Sequence, residues 1–351
     1  MYEMRVSKMK KKMFKTVLMV TAIVGMLASA SGASAYMRGG SGAFTFEPVK
    51  GKWLDVLYKG KRIARYMCGH DTSDAAKTFE TYKPFLHVYD PSSGRRLTNG
   101  PGGENPYLKD AIRYPHHRGI FIGWNRLTFE EKRYDLWHMP QAHQVHQKFE
   151  AFKTTGDSAS FTSVVHWNDA TDEKGEPMLV EHRKMRITAP PHGPIPSAGG
   201  IAVVDFETEL KAVRGQVFLN GDPEHAGVQY RAHNDVAAGP AESKAKYVFH
   251  AEGIDPRKDK DLPWVAMKYE LDGVPYVVQH MNHPSNPKGT VYSAYRDYGR
   301  FGAFFTKTLD KGETLTLRYR IWIGEGDMPA RRDLANRYSV FVEAPSVEVS
   351  K

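Results

Sequence analysis

The sequence predicts an all-β protein, a large antiparallel β-sandwich with few helices. Residues Ile201–Leu210 alternate apolar and polar side chains with a period of two, which is typical of a strand with one buried face. Trp264–Leu271 and Val274–Met281 flank Asp272-Gly273, a pair that favours a tight hairpin turn. Only Ala330–Tyr338 has a convincing helical pattern.

Further strands are predicted along the whole chain after residue 35. Short turns rich in Gly, Pro and Asp separate them, as expected of an antiparallel sandwich. No internal repeat or low-complexity linker divides residues 36–351, so we expect one sandwich domain there. The other predicted strands are Trp53–Tyr58, Arg62–Met67, Phe85–Tyr89, Ser160–Trp167, Val180–Thr188, Gly227–Asn234, Lys246–Ala251, Thr290–Arg296, Arg300–Leu309 and Thr314–Ile323.

The first 35 residues have the three-part pattern of a secretory signal peptide. A lysine-rich segment precedes the apolar run Val17–Ala28, and small residues end at Ala33-Ser34-Ala35. We therefore expect residues 1–35 to be removed near Ala35 and the protein to be periplasmic or extracellular. The apolar run is too short to span a bilayer comfortably, and no later segment approaches 18 consecutive apolar residues, so no stable membrane insertion is expected.

Composition excludes several classes of protein. Hydrophobic residues make up 41% and charged residues 25% of the 351-residue chain, which is ordinary for a globular protein. Residues 1–35 carry six Lys or Arg and one Glu, so their removal lowers the formal net charge from +9 to +4 and no nucleic-acid partner is expected. The single cysteine, Cys68, excludes a disulfide framework and a Cys-based metal site.

The densest polar stretch predicts acid–base chemistry. Five of the 15 histidines lie between His116 and His146, and imidazole moves protons near neutral pH. We expect His117 or His138 to transfer a proton, Asp135 to orient an imidazole and Arg118 to stabilise developing negative charge. A structural role for these histidines, satisfying buried backbone groups in a long loop, is the alternative.

Other polar and aromatic positions predict a substrate-binding cleft. Gln229, Arg231, His233 and Asp235 are expected on one face of a strand, and two prolines make the turn after His283 rigid. Solvated sheet faces and ordinary turns are the alternative interpretation. The residues expected to bind substrate are His116, Trp124, Trp137, His182, Arg231, His233, His283, Tyr295 and Arg296.

The cofactor requirement is left open. Acid–base chemistry next to a carbonyl needs no cofactor, but clustered imidazoles also ligate divalent metals. The ligand candidates would be His116, His117, His138, His143 and His146, with Asp135 as a carboxylate, although their spacing matches no established metal motif. The sequence does not show which histidines converge in space.

Three segments resemble a bacterial family of unknown function once labelled "methane oxygenase" (PmoA-type). They are Pro115-His-His-Arg-Gly119, Asp135-x-Trp-His138 and His283-Pro-Ser-Asn-Pro287, and the resemblance covers about residues 65–326. A particulate methane monooxygenase subunit is a multi-helix membrane protein, so methane oxidation is excluded by the lack of a span after the signal segment. The expected sandwich is similar in class to those of sugar mutarotases and polysaccharide lyases, an analogy that does not determine function.

Missing motifs narrow the function further. The chain has no phosphate-binding Gly-rich loop, no nucleophile-elbow serine and no His-Glu-x-x-His zinc helix. We expect an exported carbohydrate-active enzyme, a lyase, hydrolase, dehydratase or epimerase, acting on an oligosaccharide or modified sugar. A non-catalytic carbohydrate-binding or envelope protein is the alternative. A glycosidase carboxylate pair also stays open, with candidates Asp135, Glu181, Asp205, Glu207 and Asp235.

Overall fold

The structure, a computed structural model, describes residues 42–102, 112–172, 174–189 and 200–347. The predicted signal segment lies outside these residues. In chain order the strands are β1 (Phe44–Val49), β2 (Trp53–Tyr58), β3 (Lys61–Met67), β4 (Phe85–Val88), β5 (Ile120–Trp124), β6 (Leu127–Phe129), β7 (Lys132–Tyr134), β8 (Ala142–Thr154), β9 (Ser158–Asp169), β10 (Leu179–Thr188), β11 (Gly200–Ala212), β12 (Val217–Leu219), β13 (Ala226–Arg231), β14 (Lys246–Phe249), β15 (Trp264–Leu271), β16 (Val274–Asn282), β17 (Val291–Tyr292), β18 (Arg300–Phe304), β19 (Lys307–Leu309) and β20 (Thr314–Glu325).

Helices are few and short within the described residues. They are α1 (Ala75–Thr81), α2 (Asn234–Ala238) and α3 (Arg331–Glu343), with a 3₁₀ turn at Ala241–Ser243. None of them is long and apolar enough to cross a membrane.

The strands form three antiparallel sheets, which confirms the predicted all-β sandwich class. The first sheet has the order β1-β2-β3-β4-β5-β13-β18-β17, and the second has the order β14-β15-β16-β20-β11-β10-β9-β8. The third sheet is small and has the order β19-β12-β6-β7. Long-range pairs such as β5 with β13 therefore join segments that are about a hundred residues apart in sequence.

The two large sheets share one hydrophobic core. Phe46 on β1 meets Phe161 on β9 with ring centroids 6.4 Å apart, and the hydroxyls of Tyr230 on β13 and Tyr269 on β15 are 2.9 Å apart. Apolar side chains from both sheets are fully buried in the same cluster. Burying one face of each sheet in this way supplies the main driving force for the fold.

The alternating sequence pattern predicts the strand bounds correctly where one face of the strand is buried. Strands β2 and β15 have the predicted bounds, and β10 alternates buried and half-exposed residues along its whole length. The 13-residue strand β8 is missing from the prediction, because β-bulges at 146/148 and 149/151 interrupt its period of two.

Three predicted strands need correction. The segment predicted as Thr290–Arg296 contains only the two-residue strand β17. The segment predicted as Arg300–Leu309 divides into β18 of the first sheet and β19 of the small sheet. The strand predicted as Gly227–Asn234 ends at Arg231, and Asp235 lies in helix α2, so the four-residue polar strand face expected there is wrong. Gln229 and Arg231 are instead fully buried.

Candidate functional site

The segment after strand β7 holds one histidine ring against a carboxylate. Asp135 Oδ2 lies 2.8 Å from Nδ1 of His138, and Asp135 Oδ1 accepts hydrogen bonds from the backbone N–H groups of Trp137 and His138, both at 2.9 Å. Gly123 on β5 lets the segment approach the sheet, since a Cβ there would collide with the carbonyl oxygen of Leu136. The carboxylate thus orients the His138 ring and leaves Nε2 to face other groups.

A second carboxylate–histidine pair lies directly before strand β13. Asp222 Oδ1 is 2.7 Å from Nδ1 of His225 and accepts a hydrogen bond from the backbone N–H of Glu224 at 3.1 Å. The other oxygen, Oδ2, accepts a hydrogen bond of 2.8 Å from the side-chain amide of Asn125. His225, like His138, is therefore fixed through Nδ1 and presents Nε2.

The two pairs meet at His116. The His138 ring centroid is 4.4 Å from that of His116 and 5.2 Å from that of His225. One ring nitrogen of each of the three histidines lies within 4.8 Å of the other two. Nε2 of His116 is buried and has no hydrogen-bond partner among the described residues. We call these three residues the histidine centre.

The pKa shifts in the centre favour a neutral His116 and ionised Asp135 and Asp222. Burial, followed by the nearby positive charges of His138 and Lys83, lowers the pKa of His116 to about 2. Burial by itself would raise the pKa of Asp135, but hydrogen bonds from His138 and from backbone N–H groups hold it below its ordinary value. The same balance lowers the pKa of Asp222. Metal binding needs these protonation states in its ligands and their partners.

The histidine centre fits a divalent metal such as Zn²⁺. Three imidazole nitrogens are the protein ligands of one class of catalytic zinc site, in which water or substrate takes the fourth position. Metal-bound histidines usually donate their other ring N–H to a carboxylate, as His138 and His225 are placed to do. Their side chains are 38% and 32% exposed, so a small molecule can reach the open side.

His117 lies behind the centre. Its ring centroid is 4.2 Å from that of His116, and its ring stacks on Tyr298 at 5.9 Å. Burial, followed by the charge of His116, holds the pKa of His117 well below its ordinary value. The ring supports His116 from the interior, and the proton-transfer role predicted for His117 stays a prediction.

Two residues beside the centre have left-handed backbone conformations. Tyr114, two residues before His116, has φ of 57°, and Met139, directly after His138, has φ of 64°. Such conformations cost energy outside glycine and cluster at functional sites. The Tyr114 side chain is 37% exposed, and its ring lies 6.4 Å from that of His116. An exposed aromatic ring therefore lies beside His116.

Two predicted binding residues, Tyr295 and Arg296, interact with Glu224, the residue before His225. The Glu224 carboxylate accepts hydrogen bonds from Nε and Nη2 of Arg296 at 3.0 and 2.6 Å. Burial, followed by the negative charge of Glu224, raises the pKa of Tyr295 to about 12. Nη2 of the buried Arg300 is 3.8 Å from the same carboxylate.

Three predicted site residues near the centre are enclosed by protein. Arg118 donates to the backbone carbonyls of residues 79 and 80 and so ties helix α1 to the segment before β5. Trp124 donates through Nε1 to a backbone carbonyl at 3.1 Å. Both it and Trp137 have no exposed surface. Neither the guanidinium of Arg118 nor the two indole rings present a face on which a sugar could bind in this conformation.

Four further predicted binding residues belong to other parts of the fold. His182 lies on β10 of the second sheet, with Nδ1 2.9 Å from Glu150. Arg231 is fully buried and donates to backbone carbonyls. His233 is the N-cap of helix α2. His283 hydrogen-bonds within its own turn and to an arginine of β20.

His143 and His146 lie on β8 of the second sheet and not in the histidine centre. The His143 ring faces His70 at 5.4 Å. Nδ1 of His146 is 2.7 Å from the hydroxyl of Ser163, and burial lowers the pKa of His146 to about 4. Of the five histidines proposed as metal ligands from the sequence, the structure therefore brings His116 and His138 together in the centre, with His117 adjacent.

His225 and Asp222 are not among the residues predicted from the sequence. A signal for them exists, because Asp222-Pro-Glu-His225 repeats the spacing of Asp135-Leu-Trp-His138. Three-residue spacing lets an aspartate cap the turn and reach the imidazole at once, as both pairs show.

This chain belongs to a family of unknown function, DUF6807, whose sequence profile matches residues 53–339. The whole histidine centre falls within the match. No curated protein matches the chain. The resemblance to a PmoA-type family stays a prediction.

Solved structures show only a distant likeness. A heparan sulfate lyase, HepC, from Pedobacter heparinus is 11% identical, covers 91% of this chain and 42% of its own, and has a TM-score of 0.38. A GH36 α-galactosidase, AgaA, from Geobacillus stearothermophilus, solved with raffinose, is 9% identical, covers 83% of this chain and 40% of its own, and has a TM-score of 0.34. The chain thus spans less than half the length of either protein.

Proposed function

We propose that this member of DUF6807 is a metal-dependent enzyme that acts on a sugar substrate by acid–base chemistry. The observation that carries the proposal is the convergence of three histidine nitrogens, two of them on rings that are oriented by aspartates. A purely structural cluster would pair the buried Nε2 of His116 with a protein acceptor or donor, because an unpaired buried polar atom is costly. Lyase, hydrolase, dehydratase and epimerase reactions all fit this chemistry.

Each residue has a defined part in the proposal. Nitrogens of His116, His138 and His225 would hold the metal, and Asp135 and Asp222 keep the last two rings in the required tautomer. When bound, the metal supplies a Lewis acid that polarises a substrate oxygen or lowers the pKa of a water molecule.

Groups around the centre are suited to hydroxylated ligands. Burial would raise the pKa of Glu224, but hydrogen bonding to Arg296 holds it below its ordinary value, so the carboxylate is ionised and can accept hydrogen bonds from sugar hydroxyls. The exposed ring of Tyr114 can pack on the apolar face of a sugar ring. Tyr114 is thus available to a sugar, whereas Trp124 and Trp137, which the sequence predicts to bind substrate, are fully buried.

Metal content is the direct test. Protein purified without chelator is analysed for transition metals, and chelated protein is titrated calorimetrically with Zn²⁺ and Co²⁺. We expect binding of a single ion per chain and, with Co²⁺, visible absorption bands typical of nitrogen ligation at low coordination number. His225→Ala should abolish tight binding.

His182→Ala is the matched control, since His182 is a half-exposed histidine that also pairs with a carboxylate. It should bind metal like the wild type. Equal metal content in all three proteins, or none in the wild type with no uptake in the titration, would overturn the proposal.

We also propose export, which rests on the three-part pattern of residues 1–35. Expression in a Gram-negative host followed by N-terminal sequencing of the periplasmic fraction should give a chain that starts at Tyr36. A full-length chain in the cytoplasm would contradict it.

A further inference from the structure

We infer that the substrate of this site carries an anionic group, a carboxylate or a sulfate, which binds to an arginine rim beside the histidine centre. The rim consists of Arg257, Arg296 and Arg300 around Tyr295 and Glu224. The inference rests on the proposed function, because it takes the histidine centre as the place where the substrate reacts.

Arg257 and Arg296 are the exposed members of the rim, and Arg257 is the one without an ion pair among the described residues. Its guanidinium carbon lies 4.4 Å from the centre of the Tyr295 ring, and that of Arg296 lies 5.7 Å from the same ring. No carboxylate lies within ion-pair distance of Arg257 among the described residues, whereas the exposed Arg331 has one. An arginine stacked on an aromatic ring keeps its N–H edge free for a planar anion.

The charges near Glu224 do not balance. Asp135 and Asp222 face the ring N–H groups of the histidines and would compensate a divalent metal. Glu224 is then shared by two guanidinium groups, a bidentate Arg296 and Arg300 at 3.8 Å, while the stacked Arg257 has only the longer-range attraction of Asp255. A second anion is the natural complement of this excess, since guanidinium groups bind carboxylate and sulfate oxygens in pairs.

The rim and the centre are adjacent along the chain. Glu224 precedes His225 directly, and Tyr295 interacts with Glu224. A third stacked arginine, Arg113, lies over Tyr114 at 5.6 Å on the His116 side. A sugar packed on Tyr114 would therefore lie beside a guanidinium group, which favours a uronic acid or a sulfated sugar.

The experiment compares ligands that differ only in charge. Calorimetric binding to metal-loaded full-length protein is measured for tetragalacturonate and its methyl ester, for glucuronate and glucose, and for glucose 6-sulfate. We expect each acid to bind at least about tenfold more tightly than its neutral partner, with a preference that weakens as salt is raised. Binding of glucose 6-sulfate as tight as that of glucuronate would indicate a general anion site, and weaker binding would indicate a site for carboxylates.

Variants assign the preference to the rim. Arg257→Ala should reduce the preference for the acid about tenfold, and Arg257→Lys should restore it only in part, because lysine lacks the planar fork. Arg214→Ala is the matched control: Arg214 also stacks on an aromatic ring, Phe129 at 4.5 Å, and pairs with a carboxylate, but on another sheet.

Metal content is measured on the same samples, so that the two proposals fail separately. A metal-loaded protein that binds acids and neutral sugars equally, binds no acid at millimolar concentration, or keeps its preference in Arg257→Ala would overturn the arginine rim and leave the metal centre standing. Acid preference in a protein that takes up no metal would support the rim and overturn the proposed function.

Discussion

Two polar regions of this molecule look alike in sequence but differ in their partners. On the outer face of β10, His182 meets Glu150, Lys184 meets Glu209 at 2.6 Å and Arg186 meets Asp205 at 2.7 Å. In the histidine centre, by contrast, three ring nitrogens face one another and Nε2 of His116 has no partner among the described residues. The difference teaches that paired charges stabilise the fold, whereas ring nitrogens that converge without a protein partner leave positions that a ligand could take, as the proposed function requires.

The largest effect should come from breaking a buried pair in the second sheet. Glu181 is fully buried and accepts hydrogen bonds from Nε and Nη2 of Arg183, both at 2.8 Å, and from Trp167 at 2.8 Å. Glu181→Ala leaves the Arg183 charge buried and unpaired, so the free energy of unfolding should fall by about 3–5 kcal/mol. Urea unfolding measures the change.

Metal affinity of the folded Glu181→Ala protein should stay at the wild-type value. If metal binding is lost together with stability, the histidine centre depends on the Glu181–Arg183 pair, which contradicts the comparison.

The next effect concerns function and not stability. Asp222→Asn removes the carboxylate that orients His225 while keeping a side chain of the same size, so metal affinity should fall about 10–100-fold. Calorimetric titration with Zn²⁺ gives the affinity. An unchanged affinity would show that Asp222 supports the turn and not the ligand.

A buried histidine outside the histidine centre provides the third test. His280 on β16 is fully buried, and burial lowers its pKa to about 3. Below pH 6.5 the unfolded chain gains a proton that the folded chain does not, so stability falls as the pH decreases from about 6.5 towards 3. His280→Gln should reduce this slope by up to about 1.4 kcal/mol per pH unit.

The slope is obtained from urea unfolding between pH 5 and 6.5, where most carboxylates stay ionised. The slopes of unfolding free energy against pH are compared, and not the free energies themselves, because the substitution also changes packing. A variant with the wild-type slope would assign the acid sensitivity to other histidines, such as His146.

The smallest effect is expected at the half-exposed pair on β10. Lys184→Ala removes a partner of Glu209 in a position that water can reach, so the free energy of unfolding should change by about 0.2–1 kcal/mol. It lies on the same strand as Glu181 and is its control. A loss comparable to that of Glu181→Ala would show that the outer face is more strongly coupled than its exposure indicates.

Sequence patterns predicted most strands where one face is buried, because burial forces apolar residues to alternate, as on β10 and β11. They failed where bulges break the period, as on β8, and where a chain segment changes sheet, as between β18 and β19. His116, His138 and Asp135 were found because they lie in a dense polar stretch. His225 and Asp222 were not, since their neighbourhood in sequence carries no comparable density.

The sequence by itself determined the all-β class and the local Asp135–His138 pair, because both depend on contacts between residues close along the chain. Only the tertiary structure decided which histidines meet. Pairing of β5 with β13 brings His225 close to the segment that holds His116 and His138, about a hundred residues earlier. His143 and His146 lie on β8, which pairs with β9 in the second sheet. Convergence of this kind depends on strand order, which local side-chain patterns do not encode.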